Sequence, residues 1–319
     1  MKNTDQRLTE VGQINEALKE HPAARIAADE HSYHDAIRAF ANIVAGRAPS
    51  IKGSQIIMLA GPTSSGKTTT AHILRDMLSH RGVGAVTISL DDFYLRPDCM
   101  PTPENGKPDF ESIHALDLPL MHTCFMELLE KGETFLPRFD FQSAARAAER
   151  NHVRLKPGDV AIVEGIHALN PLIVDALPAD NLLRLYISVA SDLKDDLGNV
   201  LLTGRELRLV RRISRDHIYR NSTPANTLDM WPGVVEGEEK HLAPYTGDAD
   251  YRINTFHSYE PAIFRDHVLE LLETVPKCNP LYGQVRRLQA GLAPMRSLSW
   301  NLVPDNSVLR EFIPGGAYE

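Results

Sequence analysis

The residues most able to do chemistry lie in Gly61-Pro62-Thr63-Ser64-Ser65-Gly66-Lys67-Thr68, which fits G-x-x-x-x-G-K-[ST] at every fixed position. Each position has a physical use. Glycines let the chain turn so that successive N–H groups face one anion, and a helix starting near Lys67 adds its positive dipole end. Lys67 then reaches the β- and γ-phosphates of a nucleoside triphosphate, expected to be ATP, and the Thr68 hydroxyl ligates Mg²⁺. A chance Gly/Ser-rich turn would lack the context found here, an apolar run before the loop and an amphipathic segment after it.

Two acidic sites follow apolar runs. AVTISL leads into Asp91-Asp92-Phe93-Tyr94, and VAIV leads into Glu164. Ligands of an open parallel sheet bind outside the carboxyl ends of its strands, so these acids are candidates for chemistry. Transfer of a phosphoryl group to a hydroxyl needs one group to take the hydroxyl proton and acids to hold the metal. Asp91 is the candidate base and a candidate metal carboxylate, with Glu164 beside the metal. The competing assignment makes the aspartates helix caps and Glu164 a solvated strand end.

The segment GRELRLVRRISRDHIYR carries Arg205, Arg208, Arg211, Arg212, Arg215 and Arg220. Arginines brought over a transferring phosphoryl group stabilise its spreading charge and exclude water. A solvated helix, with Glu206 and Asp216 as pairing partners, is the alternative. Base-stacking aromatics are not interleaved here, and the net charge of −8 gives no general attraction for nucleic acid or an anionic membrane. Trp231 is expected to pack rather than line the acceptor site, and His114 and His167 to orient a neighbour or pack rather than act as acid or base.

These residues need a scaffold, and the chain alternates short apolar runs with longer amphipathic ones, the signature of an α/β parallel sheet flanked by helices. QIIMLA (55–60), AVTISL (85–90), VAIVEG (160–165), LLRLYISV (182–189) and YRINTF (251–256) are the predicted strands. Residues 68–78 and 116–129 are predicted crossover helices. FLPRFDFQSAARAAERNHVRLKPGD, with two strand-like arms around a basic middle, reads as an inserted β-hairpin. Residues 1–50 form a helical lead-in interrupted at His21-Pro22, residues 51–275 the P-loop domain, and residues 276–319 an irregular tail packed on the body or a partner. Three dispersed cysteines argue against a disulfide framework, and no apolar stretch is long enough to span a bilayer, so a cytoplasmic location is expected.

Read in order, GPTSSGKTT, SLDDFY, LPRFDF, VEGIHALNP and RRISRD resemble the uridine kinase and phosphoribulokinase group over roughly residues 55 to 260. DMWPGVVEGEEKHLAPY and the terminal VPDNSVLREFI bring the chain nearer to bacterial uridine kinase-like nucleoside kinases, some of which carry an N-terminal synthetase-type domain. The resemblance implies a P-loop kinase fold with an arginine-rich lid helix, and transfer of the γ-phosphate of ATP to the 5′-hydroxyl of a nucleoside. It places the catalytic aspartate at Asp91, assisted by Lys67 and Arg215. Gly61, Thr63, Ser64, Ser65, Gly66, Lys67, Thr68, Thr69, Arg212 and Arg220 would hold ATP. Tyr94, Asp109, Phe139 and Arg211 would hold the acceptor, and Thr68, Glu164 and Asp91 the metal. A homo-oligomer is implied, with neither nucleic acid nor membrane as partner. Two positions depart from the pattern: Ala144 stands where a base-reading histidine is expected, and Ser222 where a further lid arginine is expected. Base preference therefore does not carry over with the family. Acceptors such as a sugar phosphate, read by Arg146 and Arg154, or a vitamin precursor keep the same scaffold, and a nucleotide-gated regulatory module is the non-kinase alternative.

Overall fold

In the computed structural model, which describes residues 7–101, 109–140, 143 and 145–318, the five apolar runs form one parallel sheet. The chain opens with helices α1 (Val11–Glu20) and α2 (Pro22–Arg47), broken where Pro22 starts a new first turn. Strand β1 (Gln55–Ala60) and helix α3 (Lys67–Ser79) flank the glycine-rich loop. Then follow β2 (Ala85–Ser89), α4 (Leu118–Glu130), β3 (Glu133–Leu136), β4 (Phe139–Asp140), β5 (Ala145–Arg146), β6 (Asn151–Arg154) and β7 (Val160–Glu164). The second half runs α5 (Pro171–Val174), β8 (Leu182–Ser188), β9 (Leu193–Lys194), β10 (Val200–Leu202), α6 (Gly204–Arg220), α7 (Pro224–His241), β11 (Tyr251–Asn254), α8 (Glu260–Glu273) and α9 (Tyr282–Leu292).

The sheet order is β11-β8-β1-β7-β2, with every neighbouring pair parallel. Strand β1 is buried along its whole length because both faces are covered. Its side chains alternate accordingly. Ile57 and Leu59 join the core formed with α1, α2, α3, α6, α8 and α9, while Ile56, Met58 and Ala60 join the core under α4 and α5. Helix α4 starts at Leu118, two residues after the predicted onset, because the Asp117 side chain caps it by accepting from the Leu120 N–H and Pro119 fits its first turn.

The predicted hairpin is present as two antiparallel ladders, β3 with β6 and β4 with β5. Both ends of the chain belong to the same core as the sheet. Ile14, Ile37, Phe40 and Val44 from the lead-in, and Val308, Leu309, Phe312 and Ile313 from the tail, are fully or almost fully buried in it. The tail is also less irregular than expected, since α9 buries Val285, Leu288 and Leu292 at helical spacing. Three apolar positions in so short a helix are too few to stand out from the prolines and glycines around them.

Candidate active site

The register of the sheet brings the predicted chemistry to one edge. Glu164, the last residue of β7, pairs with Leu59 of β1 on one side and Ser89 of β2 on the other. The phosphate loop leaves β1 just beyond Leu59, and Asp91 lies two residues beyond Ser89. Lys67, Asp91 and Glu164 are near enough for their charges to act on one another.

The loop itself is held from outside. Gly66 is left-handed, with φ of +91°, and a Cβ there would meet Val308 Cγ2 at 2.2 Å. Gly61 passes so close to the Ile187 carbonyl that a Cβ would lie 2.6 Å from its oxygen. Arg208 donates to the Thr63 carbonyl at 2.8 Å, Arg211 donates to the Ser64 carbonyl at 3.3 Å, and Glu238 accepts from the Thr63 N–H at 2.8 Å. Within the loop the Lys67 ammonium donates to the Gly61 and Pro62 carbonyls at 2.9 and 3.3 Å. The Ser64 and Ser65 hydroxyls are buried without a hydrogen-bond partner among the described residues, and Thr68 is exposed in the first turn of α3. Unpaired buried hydroxyls beside a helix N-terminus suit the oxygens of a phosphate chain.

The carboxylates are tuned by their surroundings. Burial raises the Asp91 pKa, as does Asp92, while Lys67 and Arg220 oppose the rise. The Asp91 side chain is nonetheless exposed to solvent, which screens these charges and weakens the rise. Burial pushes the Glu164 carboxyl up to about 7; Lys67 pulls it down, and Asp91 and Glu311 add repulsion. On the acceptor side, burial raises Glu111 against the pull of Arg212, and burial and His241 drop His167 to about 4, leaving it neutral at pH 7. Tyr94 is buried, donates its hydroxyl hydrogen to the Phe110 carbonyl at 3.0 Å, and meets Phe110 and Phe139 edge-on at 5.5 and 5.6 Å. Asp109 lies beside them, accepting from the Glu111 N–H at 3.1 Å. His114 is exposed, and Trp231 is buried with the Arg208 guanidinium 5.6 Å from its ring.

The arginine helix divides into two parts. Towards its N-terminus it is a buttress. A capping box of Thr203 and Glu206 starts α6, Arg208 forms a two-pronged pair with Glu238 at 2.7 and 2.8 Å, and Arg211 is fully buried against Glu260. Arg211 also donates to the Thr255 carbonyl at 2.7 Å. The expected acceptor contact of Arg211 is therefore corrected: its charge is spent inside the protein, under the phosphate loop. Further along, Asp216 gathers Arg212, Arg215 and Arg220 at 3.1, 3.5 and 3.3 Å. Arg220 is exposed, and burial and the neighbouring Arg220 charge bring Arg215 down to about 10, still protonated. Arg220, with 57% of its side chain exposed, is the member of this cluster open to solvent; Arg212 and Arg215 are at 10% and 13%.

The phosphoribulokinase / uridine kinase family profile matches residues 56–259, the stretch that contains the loop, both strand-end acids and α6. The chain belongs to this family. It is an ATP-dependent kinase. It is 29% identical over 195 residues to a uridine kinase of Halobacterium salinarum, covering 61% of this chain and 77% of that protein. A Lactobacillus helveticus uridine kinase is 29% identical over 182 residues, 57% of this chain and 76% of its own length. The Saccharomyces cerevisiae uridine kinase is 28% identical over 264 residues, 80% of this chain and 48% of the yeast protein.

Within this kinase, Ala144 lies outside the described residues. Ser222 is used in the turn after α6, where its hydroxyl accepts from the Asn226 amide at 2.9 Å. Arg205 and Arg208 do not replace the absent lid arginine, because Glu239 and Glu238 hold them. Three acids at the site escaped the sequence reading. Glu111 and Glu238 lie in charged segments with no distinguishing pattern, and Glu311 comes from the tail, where it accepts from the Thr69 N–H and hydroxyl at 3.3 and 3.1 Å.

Proposed function

We propose that the protein transfers the γ-phosphoryl group of Mg-ATP to the 5′-hydroxyl of a ribonucleoside. The observation that carries this reading is the position of Asp91. It is an exposed carboxylate close enough to the phosphate-loop lysine to feel its charge and close enough to Tyr94 to act on its hydroxyl, with Phe110 and Phe139 edge-on to the Tyr94 ring. A raised pKa suits a general base, because the carboxylate then has more affinity for the proton it takes from the attacking hydroxyl. Asp91 Oδ accepts that proton as the hydroxyl oxygen approaches the γ-phosphorus. Lys67 and the Arg212–Arg215–Arg220 cluster supply the positive charge that the transferring group calls for. Asp109 would accept hydrogen bonds from ribose hydroxyls, and Phe110, the exposed ring beside the buried Tyr94 and Phe139, would offer apolar surface to a base.

Magnesium would be held by Thr68 and Glu164, with Asp91 near enough to join them. Bound there, it would neutralise charge on the β- and γ-phosphate oxygens. Among the described residues no group of three or more His, Cys, Asp or Glu side chains forms a cation cage, so phosphate oxygens and water must complete the shell.

A nucleoside fits better than a sugar phosphate. Arg146 donates to Asp117 at 2.9 Å and to the Phe93 and Tyr94 carbonyls, and Arg154 pairs with Glu133 at 2.8 Å, so neither guanidinium is kept for an acceptor phosphate. The test is incubation with Mg-ATP and a panel of ribonucleosides and phosphorylated sugars, following ADP and phosphorylated acceptor together. A nucleoside 5′-monophosphate is the expected product; turnover with phosphorylated sugars alone would reject the nucleoside assignment.

A further inference from the structure

The C-terminal segment lies against the phosphate loop. Val308 covers Gly66, the Ser214 hydroxyl donates to the Phe312 carbonyl at 2.8 Å, and the Tyr318 hydroxyl donates to Asp76 of α3 at 2.9 Å. Glu311 projects from this strap onto the start of α3. Its Oε2 accepts from the Thr69 N–H and hydroxyl, and its Oε1 lies 3.8 Å from Arg215 Nη1. One carboxylate thus bridges a phosphate-loop donor and a lid arginine.

That pair is what a nucleotide phosphate would bridge. The Thr69 N–H is one of the free donors in the first turn of the helix, which attracts an anion, and a single N–H serves one strong acceptor at a time. Contacts of 3.1 to 3.8 Å are long for charge-assisted bonds, which lie nearer 2.7 to 2.9 Å. The buried Ser64 and Ser65 hydroxyls beside it have no hydrogen-bond partner among the described residues, so Glu311 fills only part of the anion site. Val308, Leu309 and Phe312 are fully buried, whereas the Glu311 side chain keeps 17% of its surface exposed. The strap can therefore stay in place while this side chain turns away.

We propose that Glu311 occupies a phosphate position of the nucleotide-free enzyme and that the incoming nucleotide displaces it. The carboxylate thereby sets nucleotide affinity, while Arg215 keeps its pairing with Asp216 at 3.5 Å. This inference rests on the nucleotide-site reading above. Holding the site closed part of the time lowers apparent affinity by the fraction of molecules that are open.

The test compares wild-type protein with Glu311→Gln and Glu311→Ala, titrating Mg-ATP by calorimetry and measuring steady-state turnover. Gln keeps the shape and removes the charge, which guards against a folding defect in the Ala variant. Both variants are expected to bind Mg-ATP about tenfold more tightly, with KM for ATP falling while KM for the acceptor is unchanged, the weight of one charge-assisted contact. Equal or weaker ATP binding by Glu311→Gln, with wild-type binding intact, would overturn the displacement alone. Wild-type protein that binds no nucleoside triphosphate would overturn the nucleotide reading and this inference together.

Discussion

Replacing Arg211 separates the buried role found in the structure from the acceptor contact implied by family likeness. The Arg211 guanidinium is fully buried, pairs with an equally buried Glu260, donates to the Thr255 and Ser64 carbonyls, and lies 5.2 Å from the Phe312 ring. Arg211→Met keeps the apolar stem and removes the charge, leaving Glu260 ionised in a dry site or protonated at a cost. Removing one member of a buried pair costs about 3–5 kcal/mol. A domain stable by about 5–15 kcal/mol loses a large fraction of its stability from that change. Arg211→Met/Glu260→Leu removes both charges and should recover most of the loss, which a double-mutant cycle in urea denaturation would measure. The expected result is a lowered midpoint at unchanged slope for the single variant. A single variant as stable as wild type, with acceptor KM raised about tenfold by loss of a transition-state-neutral contact, would refute the buried role.

Gly66→Ala places a Cβ 2.2 Å from Val308 in a left-handed conformation that costs about 1–2 kcal/mol for an L-residue, so ATP affinity measured by calorimetry should fall at least about tenfold. Glu30 is buried, which by itself raises its pKa, yet His257, whose Nε2 lies 3.6 Å from Glu30 Oε1, and hydrogen bonds from Ser307 and Tyr259 bring it from 4.5 to about 2. Its contribution, on the order of 3 kcal/mol, is present above pH 4.5 and lost as pH falls towards 2; Glu30→Gln should flatten acid unfolding in that window. Arg154→Ala removes a pair whose arginine is 74% exposed, so the melting point should change by no more than about 1 kcal/mol allows, and acceptor KM should be unchanged.

Much of the site was legible because its signals are local. The phosphate loop declares itself through residue types that only an anion-binding turn needs, and the strands through apolar runs whose ends place Asp91 and Glu164 side by side. The arginine helix was harder to read. Charge density in a sequence does not reveal which side chains find buried partners, and Glu260, which neutralises Arg211, lies 49 residues away. Glu311 is 242 residues from Thr69, and its segment has no periodicity to announce that it covers the loop. The lead-in had a visible helical pattern but no mark of its purpose. In the structure Tyr33 of α2 hydrogen-bonds Thr70 of α3 at 2.7 Å, tying the lead-in to the helix that begins the nucleotide site.

The central claim is that Asp91 takes the proton from a nucleoside 5′-hydroxyl during phosphoryl transfer. The most direct measurement compares wild type with Asp91→Asn, following acceptor-dependent ADP formation and locating the phosphate on the product by phosphorus NMR. Asn keeps the shape of the side chain but cannot hold a proton from the acceptor, so kcat should fall by about 10²–10⁴ while Mg-ATP binding persists. Wild-type product should carry its phosphate on the 5′-oxygen. Undiminished turnover by Asp91→Asn, or ADP formed at the same rate with and without nucleoside, would contradict the account.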